Sequence, residues 1–203
     1  MSITILDPAE ARSARRRLRV GEGRFEECWN GRIVVPPLPN HVHYQFQFLL
    51  SAPMLDVVSR PGLGTAAHGG NVSDRADGWD KNFRGPDFIV YLHDNPAVKH
   101  ENHWQGGPDF LVEVISPGER PRAKFPFYAR INTREVLLVH RTPWALELFQ
   151  LRAGKLETAG RSDLITPAVL ASSTLPLTFQ LVAGSERPQM LVTHPSDGRT
   201  WLV

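Results

Sequence analysis

The sequence predicts a protein of the α/β or α+β class, in which helices pack against a β-sheet. Apolar segments with strand periodicity are interleaved along the chain with segments of helical periodicity. Seventeen prolines and sixteen glycines among 203 residues imply many turns, which argues against a helical bundle. Several short apolar runs end at glycine or proline, as buried strands do. These observations together favour a sheet with helices against it.

The composition is that of a soluble globular protein, with 41% hydrophobic and 22% charged residues. A formal charge of +2 permits a nucleic-acid partner without indicating one strongly. The single cysteine, Cys28, excludes an internal disulfide framework and suits a reducing compartment. The N-terminal residues lack the apolar core of a signal peptide, and no apolar run is long enough to span a bilayer. We therefore expect a cytoplasmic protein of one domain with terminal extensions.

Residues 1–22 are predicted to form a basic helix or arm. Good helix formers occupy residues 8–19, and Gly21 and Gly23 then interrupt the pattern. The arginines of this segment are Arg12, Arg15, Arg16, Arg17 and Arg19. Such a charge run is most often a solvated helix or a flexible arm, and the alternative is an arm that contacts phosphates.

A hairpin and a helix are predicted next. Residues 25–35 mix aromatic and β-branched residues around Asn30-Gly31, which predicts two strands joined by a two-residue turn. Asn40 is a candidate N-cap for a helix that begins at His41, and Pro53 should kink or divide it. Its expected buried stripe comprises Val42, Phe46, Leu49, Leu50 and Val57.

The rest of the chain is predicted to contain one further helix and a series of strands. The helix is expected between Gly118 and Ile131. The strands are expected at residues 63–68, 70–72, 86–92, 109–115, 135–140, 145–151, 155–158, 175–182 and 190–193. We assign residues 23–151 to the core and residues 152–203 to a C-terminal extension of the same domain.

Two of these strands carry an acid within an apolar run. Asp87 lies in the strand at residues 86–92, and Glu113 lies in the strand at residues 109–115. Burying an ionised carboxylate is costly unless a charge or a metal offsets it. Because side chains alternate across a strand, pairing the two strands can bring both acids within reach of one cation. Mg²⁺ or Mn²⁺ would be held by these acids and a backbone carbonyl, for which Val114 is the candidate.

Lys124 is the candidate cationic residue beside these acids. On a helix that continues to Ile131 it would share a stripe with Phe127, Tyr128 and Ile131, and this stripe should face the sheet. There the ammonium would orient an attacking water or stabilise charge in the transition state. The alternative is a surface lysine whose stem covers an apolar seam.

Other polar residues have simpler interpretations. Asp109 begins its strand and is expected to cap a turn. His41 could approach the acids, although helix capping is the simpler role. A zinc pair of His41 with His43 does not fit a helix, because residues two apart do not share a face. The loop histidines His93, His100 and His103 lack the fourth ligand that structural zinc requires.

The ordered set of motifs resembles the Uma-two family of restriction-endonuclease-like proteins. The matching segments are residues 25–31 (FEECWNG), 36–37 (PP), His41, 84–87 (RGPD), 108–117 (PDFLVEVISP), 124–125 (KF), 127–129 (FYA) and 134–137 (REVL). They cover roughly residues 25–150 in the family's order. The resemblance implies a PD-(D/E)xK nuclease core, which is a mixed sheet flanked by helices with the metal site at one edge.

The resemblance also implies roles for four residues. Asp87 and Glu113 match the family's metal-binding acids, and Lys124 matches the lysine that precedes its Phe-Tyr pair. Glu27 matches an upstream acid that adds a metal or water contact in this superfamily. These four residues are the expected catalytic set.

The sequence departs from the family pattern in two ways. A regular Glu-x-Lys motif would place lysine at position 115, which is Ile115, so the lysine must come from the following helix. Pro121 and Pro126 stand where the family has helix formers. Proline breaks a helix interior, so we expect Pro126 in the first helical turn with Lys124 just before it, which would move Lys124 several ångströms from its ideal position.

The expected function is that of an endonuclease that hydrolyses DNA with Mg²⁺ or Mn²⁺ and has no membrane partner. One alternative is a catalytically inactive nuclease-fold module that binds nucleic acid or another partner. Another is a small-molecule hydrolase that uses the same metal pair. Homodimerisation is compatible with cutting both strands of a duplex, although no residue indicates it.

Overall fold

The computed structural model describes residues 3–5, 8–19, 26–116 and 119–203. Three α-helices are present in these ranges: α1 (Pro8–Arg19), α2 (His41–Met54) and α3 (Phe125–Arg130). A π-helical segment, Leu55–Ser59, continues α2, and 3₁₀ turns lie at Trp79–Lys81 and Pro121–Lys124. Gly21, Gly23 and Phe25, together with Pro117 and Gly118, lie outside the described residues.

The strands outnumber the helices, as the density of glycine and proline predicted. In chain order they are β1 (Ile3–Ile5), β2 (Glu27–Trp29), β3 (Arg32–Val35), β4 (Gly64–His68), β5 (Val72–Ser73), β6 (Phe83–Arg84), β7 (Phe88–Leu92), β8 (Val98–Lys99), β9 (Trp104–Gln105), β10 (Phe110–Ile115), β11 (Glu135–Arg141), β12 (Trp144–Arg152), β13 (Lys155–Asp163), β14 (Leu170–Ala171), β15 (Thr178–Val182), β16 (Gln189–Thr193) and β17 (Thr200–Leu202). The described strands form three sheets.

The central sheet has the strand order β13-β12-β11-β10-β7-β4. It is mixed, because β10 and β11 are parallel whereas β10 and β7 are antiparallel. A second sheet, in the order β1-β3-β2-β6-β5-β9-β8, carries the predicted N-terminal hairpin. The third, β14-β15-β16-β17, is formed by the C-terminal residues. The predicted mixed α+β class is therefore confirmed.

Helices and the C-terminal sheet cover the two faces of the central sheet. On one face, Phe88, Val112 and Leu137 pack with Phe46 of α2 and Phe179 of β15. The opposite face contacts α3 through a second cluster, whose members include Ile89, Leu111, Leu138, Phe127, Tyr128 and Ile131. The strands are thus apolar on both faces, which explains their continuous hydrophobic runs.

Helix α2 begins where the sequence predicted, because Asn40 caps it by accepting a hydrogen bond from the His43 amide at 3.1 Å. Phe46 and Leu50 are fully buried, as the predicted stripe requires. The α-helical segment ends at Met54, immediately after Pro53, and the chain continues as the π-helical segment.

The helix predicted between Gly118 and Ile131 is divided in the structure. A 3₁₀ turn, Pro121–Lys124, precedes the short helix α3, and Ile131 lies just beyond it. Pro126 occupies the first turn of α3, where a missing N–H costs nothing because those donors have no partner within the helix. The expectation of one continuous helix from Gly118 to Ile131 was therefore wrong.

Helix α1 packs against the second sheet through Ala14, which is buried with Cys28, Ile33 and Phe83. Among the described residues no helix is both long and apolar enough to cross a membrane.

A buried carboxylate joins the C-terminal residues to the central sheet. Glu135, which is fully buried, accepts hydrogen bonds from the hydroxyls of Ser172, Ser173 and Thr174 and from Gln150. Burial opposes ionisation of this carboxyl, yet these hydrogen bonds hold its pKa below the usual value. A lowered pKa means that the ionised carboxylate stabilises the fold at neutral pH and that this contribution is lost on acidification.

We predict that Glu135→Gln lowers the free energy of unfolding at pH 7 by about 2 kcal/mol, since hydrogen bonds to a charged group are lost. The difference between variant and wild type should shrink as the pH falls below about 4.5, the ordinary value for this side chain. Urea denaturation across this pH range measures both effects. Glu157→Gln, on the exposed part of β13, is the matched control; an equal loss in the control would contradict the prediction.

Candidate active site

The antiparallel pairing of β7 with β10 brings the two predicted acids together. Phe88 is opposite Val112 in this ladder, and one further step in the same register places Asp87 opposite Glu113. Residues directly opposite each other point to the same face of a sheet. Both carboxylates accordingly line one cleft of about 270 Å³.

Asp87 is held by three donors from two elements. Its Oδ1 contacts His43 Nε2 at 2.8 Å and Gln47 Nε2 at 2.9 Å, both from α2. Its Oδ2 accepts a hydrogen bond of 2.6 Å from the Val114 amide of β10. The orientation of this carboxylate is therefore determined from both sides.

Glu113 lies deeper and is held by α3 and the turn before it. Its Oε1 accepts a 2.5 Å hydrogen bond from the Tyr128 hydroxyl. The Lys124 ammonium contacts Oε1 at 2.9 Å and Oε2 at 3.2 Å. Lys124 lies at the end of the 3₁₀ turn that Pro121 begins, and from there its side chain reaches Glu113.

Glu27 comes from the N-terminal hairpin and completes the ionic cluster. Its Oε1 is 2.8 Å from Lys124 Nζ and accepts a 3.0 Å hydrogen bond from the Gly85 amide. Its Oε2 accepts one of 2.6 Å from Trp29 Nε1. The hairpin that positions Glu27 turns at Asn30 and Gly31, which both have positive φ as the predicted turn requires.

Burial and neighbouring charges change the protonation of this cluster. Burial raises the pKa of Glu113 to about 7; Lys124 opposes the shift, whereas Asp87 and Glu27 add to it. Burial alone would lower the pKa of Lys124, but Glu113 and Glu27 raise it overall, so the ammonium stays charged. Burial, with Glu113 and Glu27, raises the pKa of Tyr128, which keeps the phenol protonated as a donor.

The cleft carries a strong excess of negative charge. Among the residues that the structure describes, five acids line it, together with one lysine, Lys124, and no arginine. The acids are Glu26, Glu27, Asp87, Glu113 and Glu119. Burial also raises the pKa of Glu119, which accepts a hydrogen bond from the Ser116 amide at 2.6 Å. An anionic substrate would be repelled here unless a cation offsets these charges.

The donor atoms suit a hard divalent cation. Asp87 and Glu113 supply carboxylate oxygens, and Mg²⁺ commonly takes only one or two carboxylates and completes its shell with water. Among the described residues no group of three or more acids, histidines or cysteines forms a complete cage. The residues therefore fit an open Mg²⁺ or Mn²⁺ site better than a structural zinc site.

The other candidate residues lie elsewhere. Asp109 is fully buried at the opposite end of β10, where it accepts hydrogen bonds from the Leu92 amide and Asn95 and pairs with Arg134 at 2.9 Å. His103 stacks on Trp79, with ring centroids 5.0 Å apart, and does not line the cleft.

The histidine that reaches Asp87 is His43 and not His41. His41 is exposed, and His43 is the residue that contacts Asp87. Gln47 and Glu119 were also missed, and Tyr128 was expected only to pack. The spacing of His43 and Gln47 could have identified this pair. The two residues are four apart and so lie on the same side of α2, and each precedes a residue of the apolar stripe, Phe46 or Leu50, by three positions.

Comparison with known proteins gives two findings. A family model described as "Uma2: Putative restriction endonuclease" matches residues 16–183. The chain is also similar to a crystal structure from Anabaena variabilis, described as a "putative nuclease belonging to DUF820". That likeness has a TM-score of 0.59 at 18% identity and covers 72% of this chain and 80% of the other. Comparison with curated proteins gives no match.

We predict that Lys124→Met raises the pKa of Glu113 above about 7, because the charge that opposes its shift is removed. Stability at pH 8 should fall by about 3 kcal/mol, since a buried carboxylate loses its partner. Carboxyl ¹³C NMR titration, with Glu113→Gln to assign the signal, measures the pKa.

Lys155→Met, on an exposed position of β13, is the control and should change neither quantity. The double variant Lys124→Met/Glu113→Gln should regain part of the lost stability. An unchanged Glu113 titration in Lys124→Met would contradict the assigned ion pair.

Proposed function

Because the chain belongs to the Uma2 family, we propose that it is an endonuclease that hydrolyses phosphodiester bonds of DNA with the help of Mg²⁺ or Mn²⁺. The observation that carries the proposal is the convergence of Asp87 and Glu113 in one cleft, with Lys124 bonded to Glu113. Two acids and a lysine around a scissile phosphate form a known hydrolytic arrangement in this superfamily. The sequence motifs and the geometry point to the same residues.

The metal would be held by Asp87 and Glu113. When bound, it would neutralise charge on the scissile phosphate and acidify an attacking water. The negative charge of the cleft supports the need for a bound metal, because the acids would otherwise repel a phosphate.

Lys124 and Glu27 would have separate roles beside the metal. Lys124 is held between Glu113 and Glu27 and is within reach of the cleft, so its ammonium can orient the water or stabilise the charge that develops on the phosphoryl oxygens. Glu27 would keep that ammonium in place. Water adds to phosphorus and gives up a proton to solvent or a nearby carboxylate, and the bond to the leaving oxygen breaks as that oxygen takes up a proton from solvent.

DNA would reach the acids past a basic side chain on the rim. A second depression is lined by Glu27, Glu113, Lys124 and Arg120, and Arg120 is exposed. Its guanidinium would contact a backbone phosphate next to the scissile one, which positions the strand without reading its sequence.

We predict that Asp87→Ala and Glu113→Ala each reduce cleavage of supercoiled plasmid with Mg²⁺ or Mn²⁺ by about 100-fold or more, because each removes a metal ligand. Asp94→Ala, which alters a side chain that is 74% exposed, is the control and should cleave normally. Activity that survives in either cleft variant would refute the site. A wild-type protein that cleaves neither duplex nor single-stranded DNA would favour the inactive binding module.

We further predict that Arg120→Ala weakens DNA binding by a similar factor for unrelated sequences. The slope of log affinity against log salt concentration should become shallower by about one unit, as for the loss of one phosphate contact. Fluorescence anisotropy at several salt concentrations measures this. Arg152→Ala, an exposed arginine of β12, should leave the slope unchanged, and an unchanged slope in Arg120→Ala would exclude the contact.

A further inference from the structure

Helix α2 presents a polar stripe to the cleft. His43, Gln47 and Ser51 follow one another at intervals of four residues, and Ser51 Oγ is 2.5 Å from His68 Nε2 on the cleft wall. The neighbouring stripe contains Phe46 and Leu50, which are no more than 1% exposed. Because packing of that apolar stripe fixes the rotation of α2, the polar stripe is fixed as well.

The two carboxylate oxygens of Asp87 are not equivalent. Each oxygen of a carboxylate offers about two lone-pair directions. Oδ1 already contacts two side-chain nitrogens, from His43 and Gln47. Oδ2 accepts from the Val114 amide, which leaves it one direction for a further partner.

The contact with Asp87 identifies the ring nitrogen of His43 that donates. An ionised carboxylate can only accept, so Nε2 must carry the hydrogen. Nδ1 is buried without a hydrogen-bond partner among the described residues.

We propose that His43 and Gln47 are positioning residues that occupy Oδ1 of Asp87, so that this acid binds the metal through Oδ2 alone. This inference rests on the proposed function, because it assumes that Asp87 is a metal ligand. Groups that orient a ligand by hydrogen bonding raise the affinity of the site by removing its freedom to rotate. The pair would thus determine both the affinity for the cation and the denticity of Asp87.

The chain offers a matched pair of glutamines for the test. Gln47 contacts Asp87, whereas Gln45 is exposed on the same helix. Mn²⁺ affinity of the full chain is measured by electron paramagnetic resonance, and the thermal midpoint without metal is recorded in parallel. Gln47→Ala should weaken Mn²⁺ binding about 10-fold with little change in midpoint, and Gln45→Ala should change neither.

The histidine is tested with a conservative and a non-conservative variant. His43→Gln retains an N–H donor and should keep most of the affinity, whereas His43→Leu should lose about 10- to 100-fold. A purely structural role for His43 would lower the midpoint without changing the affinity of the folded protein. That result, or unchanged affinity in Gln47→Ala, would overturn the positioning role.

A crystal structure grown with Mn²⁺ tests the denticity. The cation should bind Oδ2 of Asp87 and not Oδ1. Bidentate binding or a contact through Oδ1 would overturn the inference. Failure of the proposed function can be distinguished from failure of this inference. In the former case wild-type protein would bind no Mn²⁺, or would bind it equally well after Asp87→Ala.

Discussion

The buried ammonium of Lys124 between two carboxylates is the interaction on which the cleft depends. It joins the N-terminal hairpin through Glu27, at 2.8 Å, to the central sheet through Glu113, at 2.9 Å. Each of these side chains is mostly removed from water, and any of them alone would be costly to bury. Together they bring three separate elements to one point, namely β2, β10 and the 3₁₀ turn that ends at Lys124 immediately before α3.

Arg84 reinforces the same junction below the cleft. Its guanidinium lies between the rings of Trp29, 4.3 Å away, and Phe127, 4.2 Å away. It also donates to the carbonyls of Cys28 and Phe83 at 2.9 Å. A buried cation stacked between two rings holds the hairpin against α3. The elements that supply Glu27 and Lys124 are therefore connected twice, by ion pairs and by stacking.

The family match over residues 16–183 and the likeness to a nuclease structure confirm the restriction endonuclease-like core that the motifs implied. Within this core a few side chains, among them Glu27, Asp87 and Glu113, line the cleft, and the rest of the chain holds them in place. The third sheet serves this role here through Glu135, which anchors residues 172–174 to β11. The geometry of the cleft is thus supported from both ends of the chain.

The sequence by itself determined the two apolar strands near residues 86–92 and 109–115 and the acids that accompany them. Because strand periodicity is a local property, it also predicted that pairing of these strands could bring Asp87 and Glu113 together. The tertiary structure alone decided which donors reach those acids. His43 lies 44 residues from Asp87 along the chain, and no local rule relates the rotation of a helix to a particular strand. That rotation follows from packing of the apolar stripe of α2 against the sheet, which depends on the shape of the whole core.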